Sequence, residues 1–342
     1  KMWDEVDPSA PVKYGAVIAV TVICVVLLRK WIAGGVCQSS VQLRGKTVLV
    51  TGANTGIGKE TCRDMARRGA RVVMACRDLT RAARAADEIR QTTGNSNIVV
   101  RHLDLASMYS VRELAKEFTA SEDRLDILIN NAGVMMCPKW LTEDGFETQL
   151  AVNHLGHFLL TNLLLGKLKS SAPSRVVNVS SIAHKGGKIQ FDDLFFAKRP
   201  YNSLVSYRQS KLANMLFSRE CKTLGSGPLV GTGVTSYSLH PGVIRTELTR
   251  HVETWFPMLR AILSAPSMLL MKTPTQGAQT SIYCAVTPGL EQKSGSYFSD
   301  CAMTETAPEG RDDAVAKRLW KESARLVERL NNPLHLKTIE KD

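Results

Sequence analysis

The eight cysteines are Cys24, Cys37, Cys62, Cys76, Cys137, Cys221, Cys284 and Cys301, and among them there is no Cys-x-x-Cys and no pair at zinc-ligand spacing. That excludes a zinc finger and a thioredoxin-type redox motif. Several lie in apolar runs, Cys76 in RVVMAC and Cys284 in SIYCAV, where a reduced cysteine serves as a small core residue. The folded part is therefore expected in a reducing compartment. No basic run or RNP-like aromatic stretch accompanies the net charge of +12, so nucleic acid is not an expected partner. Without a G-x-S-x-G there is no serine-hydrolase elbow. His154 and His157 stand three apart in NHLGH, but no third ligand and no H-E-x-x-H glutamate goes with them, so no metal is expected. Neither an internal repeat nor an interdomain linker is visible.

What is present is a chain of 342 residues, 44% apolar and 22% charged, long enough to bury a full core. Its positive balance suits phosphate ligands or an anionic membrane surface, beside the plain reading of a solvated surface with excess Lys and Arg. The organisation expected is an anchor and connector over 1–40, one catalytic domain over 41–330 and a tail over 331–342. Residues 14–28, YGAVIAVTVICVVLL, carry no charge, with Lys13 before them and Arg29 and Lys30 after. At about 1.5 Å per residue this is short for a hydrocarbon core of roughly 30 Å, but Lys13 and Arg29 can snorkel and Trp31 and Ile32 extend the buried length. A signal peptide is the rival reading; it wants a basic leading region, whereas KMWDEVD is acidic on balance. The basic flank continues with Arg44 and Lys46 and places the bulk of the chain in the cytosol.

GGVCQSSVQLRG, residues 34–45, reads as a polar connector with glycines. Beyond it short apolar runs alternate with helical stretches: KTVLVT, RVVMAC, NIVVRHLDL, DILINNAG, RVVNVSS, GVTSYSLHPG and GSYFSD as strands, with a long helical region GFETQLAVNHLGHFLLTNLLLGKLKSS before the fifth. This is the pattern of an α/β fold, a Rossmann-like doubly wound parallel sheet of about seven strands.

After the first strand comes TGANTGIGKET, with Gly52, Gly56 and Gly58 leading into a helix. Glycines there let the backbone approach a pyrophosphate resting on the helix N-terminus. The loop is not a Walker A motif, since no Gly-Lys-Ser/Thr ends it. At the end of the second strand ACRD places Arg77, then Asp78, where NAD sites hold an acid and NADP sites a base. Arg77 and Lys59 would give a 2′-phosphate charge-assisted hydrogen bonds, so NADP(H) is the expected cofactor, with Asp78 as the counter-indication. In SYRQSKLAN, Tyr207 and Lys211 share a helix face. A free phenol near pKa 10 is a poor proton shuttle at neutral pH, and an ammonium one turn away favours its anion.

TGANTGIG, LDLAS, NNAG, VNHLGHF, VNVSS, YRQSK and HPG, in this order, resemble the short-chain dehydrogenase/reductase family over about residues 45–300. INNAGVMMCP, NHLGHFLLTNLLL, APSRVVNVSS and GAQTSIYCA resemble its retinol dehydrogenase branch, nearest types 11 and 12, which is similar in having an N-terminal membrane anchor. The resemblance implies that Tyr207 is the general acid, that Lys211 lowers its pKa and binds the nicotinamide ribose, and that Ser181 rather than Ser180 hydrogen-bonds the substrate oxygen. It implies that Asn153 holds a water linking Lys211 to solvent. Asn54, Thr55 and Ile57 join the glycines at the cofactor; Asn130, Asn131, Ala132 and Gly133 support the adenosine side, with Asp104 and Leu105 near the adenine. Pro241, Gly242 and Thr246 would line the carboxamide. Plainer roles remain open: Asn130 and Asn131 as strand caps, and Ser180 bonded only to backbone.

The loop between Ser181 and Tyr207 is longer than in compact members and is expected to wall the substrate pocket. The apolar stretch 254–271, TWFPMLRAILSAPSMLLM, is read either as a lid dipping into a bilayer or as a core helix. The resulting expectation is a membrane-anchored, NADP(H)-dependent retinol dehydrogenase or retinal reductase of the endoplasmic reticulum, with a mitochondrial membrane as the second choice. A homodimer through the helices near 110 and 160 is an open option. The alternatives are a steroid or medium-chain aldehyde reductase, or a catalytically silent NADPH-binding scaffold.

Overall fold

The computed structural model describes residues 10–222, 229, 231–244 and 271–329. A first helix, α1 (Ala10–Ala33), carries the apolar segment, and over Ala16–Ala33 it is long and apolar enough to cross a membrane, with none of that window buried among the described residues. The domain proper opens with β1 (Thr47–Thr51), α2 (Gly56–Arg67), β2 (Arg71–Cys76), α3 (Leu79–Thr93), β3 (Ile98–His102), α4 (Met108–Ser121) and β4 (Ile127–Asn130). Then follow α5 (Thr148–Leu150), a π-turn over Ala151–Leu155, α6 (Gly156–Leu163), α7 (Leu165–Ser170), β5 (Ser174–Val179) and α8 (Ser203–Lys222). β6 (Val234–His240), α9 (Pro274–Val286), β7 (Tyr297–Ser299), β8 (Ala302–Met303) and α10 (Asp313–Glu328) complete the described part.

The strands form one sheet in the order β3-β2-β1-β4-β5-β6-β7-β8, parallel until β8, which pairs antiparallel with β7. The expected parallel sheet is present, with an eighth strand of two residues that has too little sequence to be read in advance. Strand side chains alternate between two cores. Leu49, Val73, Leu128 and Val176 face the α4, α6, α8 and α10 side; Val48, Val50, Val72, Met74, Ile129 and Val177 face α2, α3 and α9. With both faces covered the strands can be continuously apolar, which is what made them visible.

Two local features differ from the sequence reading. The long helical region starts only at Thr148, contains the π-turn, and breaks at Leu164. The connector over 34–43, legible only as polar with glycines, is docked on the domain: the Cys37 N–H donates to Gln279 Oε1 at 3.0 Å, Ser39 Oγ to the Val286 carbonyl at 3.2 Å, and Arg68 to the Ser39 and Val41 carbonyls at 2.7 and 2.8 Å. Thr246, most of the 254–271 stretch and the tail over 331–342 lie outside the described residues.

Candidate active site

Strand order reverses between β1 and β4, and in an open α/β sheet that leaves a crevice outside the carboxyl ends of the strands. A cavity of about 810 Å³ occupies it, lined from one end by the glycine loop and Arg77 and from the other by Ser181, Tyr207, Lys211 and Gly242.

At the first end, Gly52 turns with φ +62 and a Cβ there would lie 2.9 Å from Ala132, so the loop can pass close to the end of β4 only as glycine. The Asn131 side chain locks the two together by donating to the carbonyls of Thr51 at 2.8 Å and Gly52 at 3.2 Å. Thr55 begins α2 without a side-chain cap, so the N–H groups of its first turn have no side-chain acceptor from that residue, and Gly56, Ile57 and Gly58 line the cavity there. An uncapped helix start with no acid in its first turn is a ready seat for a diphosphate. Asn54, Asp104, Leu105, Ala132 and Gly133 also line the cavity.

At the specificity end the two expected cations lie in different places. Lys59 does not reach the cavity; its ammonium pairs with Glu88 on α3. Arg77 does line it, and so does Arg81, which sequence reading passed over. Asp78 caps α3, its Oδ1 accepting the Arg81 N–H at 2.9 Å, so the acid that argued for NAD has a structural task. The signal for Arg81 was available: a capping Asp puts the residue three positions later on the first helical turn, beside the cap.

At the catalytic end, α8 presents Tyr207 and Lys211 on one face, both almost fully buried. Ser181 lines the same cavity as Tyr207. Burial pushes the Tyr207 phenol up to about 12, and the Ser181 hydroxyl only partly opposes this. Lys211 donates from Nζ to the Val179 carbonyl at 3.1 Å, lies 5.7 Å from the Tyr207 ring centre, and is lowered to about 8 by burial. Desolvation dominates the phenol. Ser180 turns away and donates to the Lys211 carbonyl at 2.6 Å, the backbone role left open for it.

Asn153 sits in the π-turn behind Gly133, outside the cavity lining. Its Oδ1 accepts the Val134 N–H at 2.8 Å, and its Nδ2 donates to the Val134 carbonyl at 3.0 Å and to Ser210 Oγ at 2.9 Å. It therefore positions the wall beside Lys211. Asn130 is likewise interior, its Nδ2 shared between Thr161 at 3.0 Å and Asn178 at 2.8 Å, so it holds β4 to β5 rather than facing a ligand. Thr51 was missed. Its Oγ1 accepts the N–H groups of Asn131 at 2.9 Å and Ala132 at 3.0 Å, so its proton goes to Nε2 of His157 at 2.8 Å. The Nδ1–H of His157 then donates to the Asn153 carbonyl at 3.1 Å. His154 bonds Ser323 at 2.9 Å. Both histidines are thus structural braces, and Pro241 and Gly242 line the cavity.

A doubly wound sheet with a glycine loop at β1, and with Ser181, Tyr207 and Lys211 gathered on one cavity, defines the class. The sequence profile described as short chain dehydrogenase matches residues 46–256, and the chain belongs to that family. A nicotinamide dinucleotide, NAD or NADP, is the cofactor class of this site. Bovine (Bos taurus) retinol dehydrogenase 12 is 55% identical over 300 residues, covering 88% of this chain and 92% of the relative. Human (Homo sapiens) retinol dehydrogenase 13 is 54% identical over 303 residues, covering 88% and 90%. Among solved structures, one from Mycobacterium paratuberculosis superposes with a TM-score of 0.69 at 34% identity, covering 86% of this chain and 98% of that one. The Pseudomonas aeruginosa RhlG/NADP active-site complex superposes at 0.58 with 27% identity, covering 75% and 95%.

Proposed function

We propose that the chain is a membrane-anchored retinol dehydrogenase working with NADP(H), interconverting retinal or similar lipophilic aldehydes and their alcohols. The observation that carries this is the joining, on one cavity, of the Ser181–Tyr207–Lys211 constellation with Arg77 and Arg81. The names of the retinol dehydrogenases it resembles supply the substrate class. Two guanidiniums against one capping carboxylate favour a 2′-phosphate, and the start of α2 suits the diphosphate. When bound, the dinucleotide supplies or accepts the hydride.

The chain's own part is proton movement and orientation. Tyr207, protonated at neutral pH, is the state a general acid needs to give Oη–H to a substrate carbonyl oxygen. Ser181, on the same cavity wall as that phenol, orients the same oxygen. Lys211, still largely protonated at pH 7, offsets the phenolate charge as the proton leaves. A water relay beyond Lys211 and beside the Asn153 wall would restore the proton. A silent scaffold would have no use for the complete set. An endoplasmic reticulum membrane ahead of a mitochondrial one, a cytosolic catalytic domain and a homodimer through α4 and α6 belong to the same proposal.

The test is NADPH oxidation by the reconstituted full chain with all-trans-retinal, beside Tyr207→Phe and with NADH as control. Turnover that requires NADPH and falls by at least about a hundredfold in the variant supports the reading. NADPH binding without turnover of retinal would remove the substrate assignment.

A further inference from the structure

The connector after α1 is fastened along its whole length. Gly34 turns with φ +70 over the ion pair of Lys272 and Asp300, where a Cβ would come within 2.6 Å of Lys272 Nζ and overlap the Asp300 carboxylate. A Cβ on Gly35 would overlap the Asp300 carbonyl. Only two consecutive glycines let the chain lie this close. Leu43 then enters the core, with its N–H donating to the Arg68 carbonyl at 2.8 Å.

Lys272 also supports the cavity rim from behind Gly242 and Val243. Its N–H donates to the Val243 carbonyl at 2.9 Å, it bridges Ile244, and its side chain packs where Gly242 lacks a Cβ. Next to it, the Met271 carbonyl accepts from Arg29 Nη1 of α1 at 3.0 Å, and Met271 and Val243 both line the cavity. The last turn of the apolar helix is thus one arginine side chain away from the cavity mouth. A loose connector of ten residues would let the domain wander by roughly 17 Å. A fastened one cannot.

We propose that the connector is a rigid strap that holds the Val243–Met271 side of the cavity mouth against the lipid headgroup layer, making the bilayer surface the partner of that rim and the phase from which apolar substrate enters. The inference rests on α1 being a membrane span. Arg29 and Lys30 mark the level of the headgroups, because cationic ends of a span sit at the interface. Met271, bonded to Arg29, shares that level. Among the described residues of the rim it belongs to, Val243 is apolar and 57% exposed. Continuity with the span identifies lipid as what covers it.

The experiment uses the full chain in vesicles, with a Val243→Trp reporter and lipids brominated near the headgroup. A second chain adds Gly-Ser-Gly-Ser between Ala33 and Gly34, leaving the strap seated but freeing it from the anchor; Gly35→Val unseats the strap itself. The emission added by the reporter should be quenched in the parent, and at least half of that quenching should vanish in both altered chains. kcat/KM for retinal dissolved in the vesicles should fall on the order of tenfold as the local supply is lost, and for a short water-soluble aldehyde should hold. An unquenched reporter in the parent, or equal quenching in the lengthened chain, overturns the strap. Correct quenching without turnover of retinal leaves the strap standing and removes the substrate assignment instead.

Discussion

Replacing Arg77 with Gln isolates the cofactor choice. Arg77 is exposed at the end of β2, one residue before the Asp78 cap, so no helix bond depends on its side chain. Stability should change by less than about 0.5 kcal/mol, the usual range for such a surface site. A charge-assisted hydrogen bond to a 2′-phosphate is worth about 1.5–3 kcal/mol, or roughly 10- to 150-fold in affinity. Arg81 remains on the same wall and Asp78 keeps its charge beside it, so the lower end of that range applies. The expected outcome is a ten- to thirtyfold weaker NADPH, with NADH changed by less than about twofold because it has no phosphate to lose. Fluorescence titration of NADPH and paired kcat/KM values for the two cofactors read this directly. Equal proportional losses for NADPH and NADH would mean that Arg77 shapes the site rather than reads the phosphate. No loss at all would return the specificity to a group elsewhere.

Two pH dependences follow from the burial of charge. Carbonyl reduction needs Tyr207 and Lys211 both protonated; with the phenol near 12 and the ammonium near 8, kcat/KM should be level below about pH 8 and fall above it, while alcohol oxidation, which needs Tyr207 to take a proton, should rise with pH. A reductive profile without a break near 8 in the native enzyme, or with the same break in Lys211→Met, would remove Lys211 from the proton path. Stability should fall in acid, because burial lowers His154 to about 4 and His157 to about 3 while the unfolded chain takes up those protons near 6.5. The unfolded state then binds more protons below pH 6.5, so stability is lost as pH falls from there. His154 alone accounts for about 2–3 kcal/mol between pH 7 and 4.5. Urea midpoints of the native chain and His154→Gln at those two pH values check it, the variant showing the smaller drop.

The parts of this molecule that could be read from sequence are those whose cause is local. β1, β2, β4 and β5 stand out because both faces of the sheet are covered, and continuous apolar runs follow from that alone. The glycine loop stands out because its geometry needs Gly52 and Gly58 at fixed places after β1. Tyr207 and Lys211 could be placed on one face from helix periodicity, but not their buried state, since that depends on β5 and the loop after β4 closing over α8. β8 had no run long enough to read, and the π-turn has no periodicity of its own; it surfaces only because Asn153 must reach back to Val134.

The misplaced charge shows the same rule from the other side. Lys59 and Arg77 are both cations near the expected phosphate, and nothing local separates them. What separates them is Glu88, twenty-nine positions along on α3, which pairs with Lys59, while Asp78 caps its own helix and lines the cavity beside Arg77 and Arg81. A carboxylate on the neighbouring helix thus decides which cation is left for a ligand. The connector follows the same logic: GG reads only as a connector when seen alone, and as a close fit once Asp300, far along the chain, is placed under it. In both cases the residue type was informative and its partner was not adjacent, so the sequence could name the chemistry available at the crevice but only the fold could assign which side chains reach it.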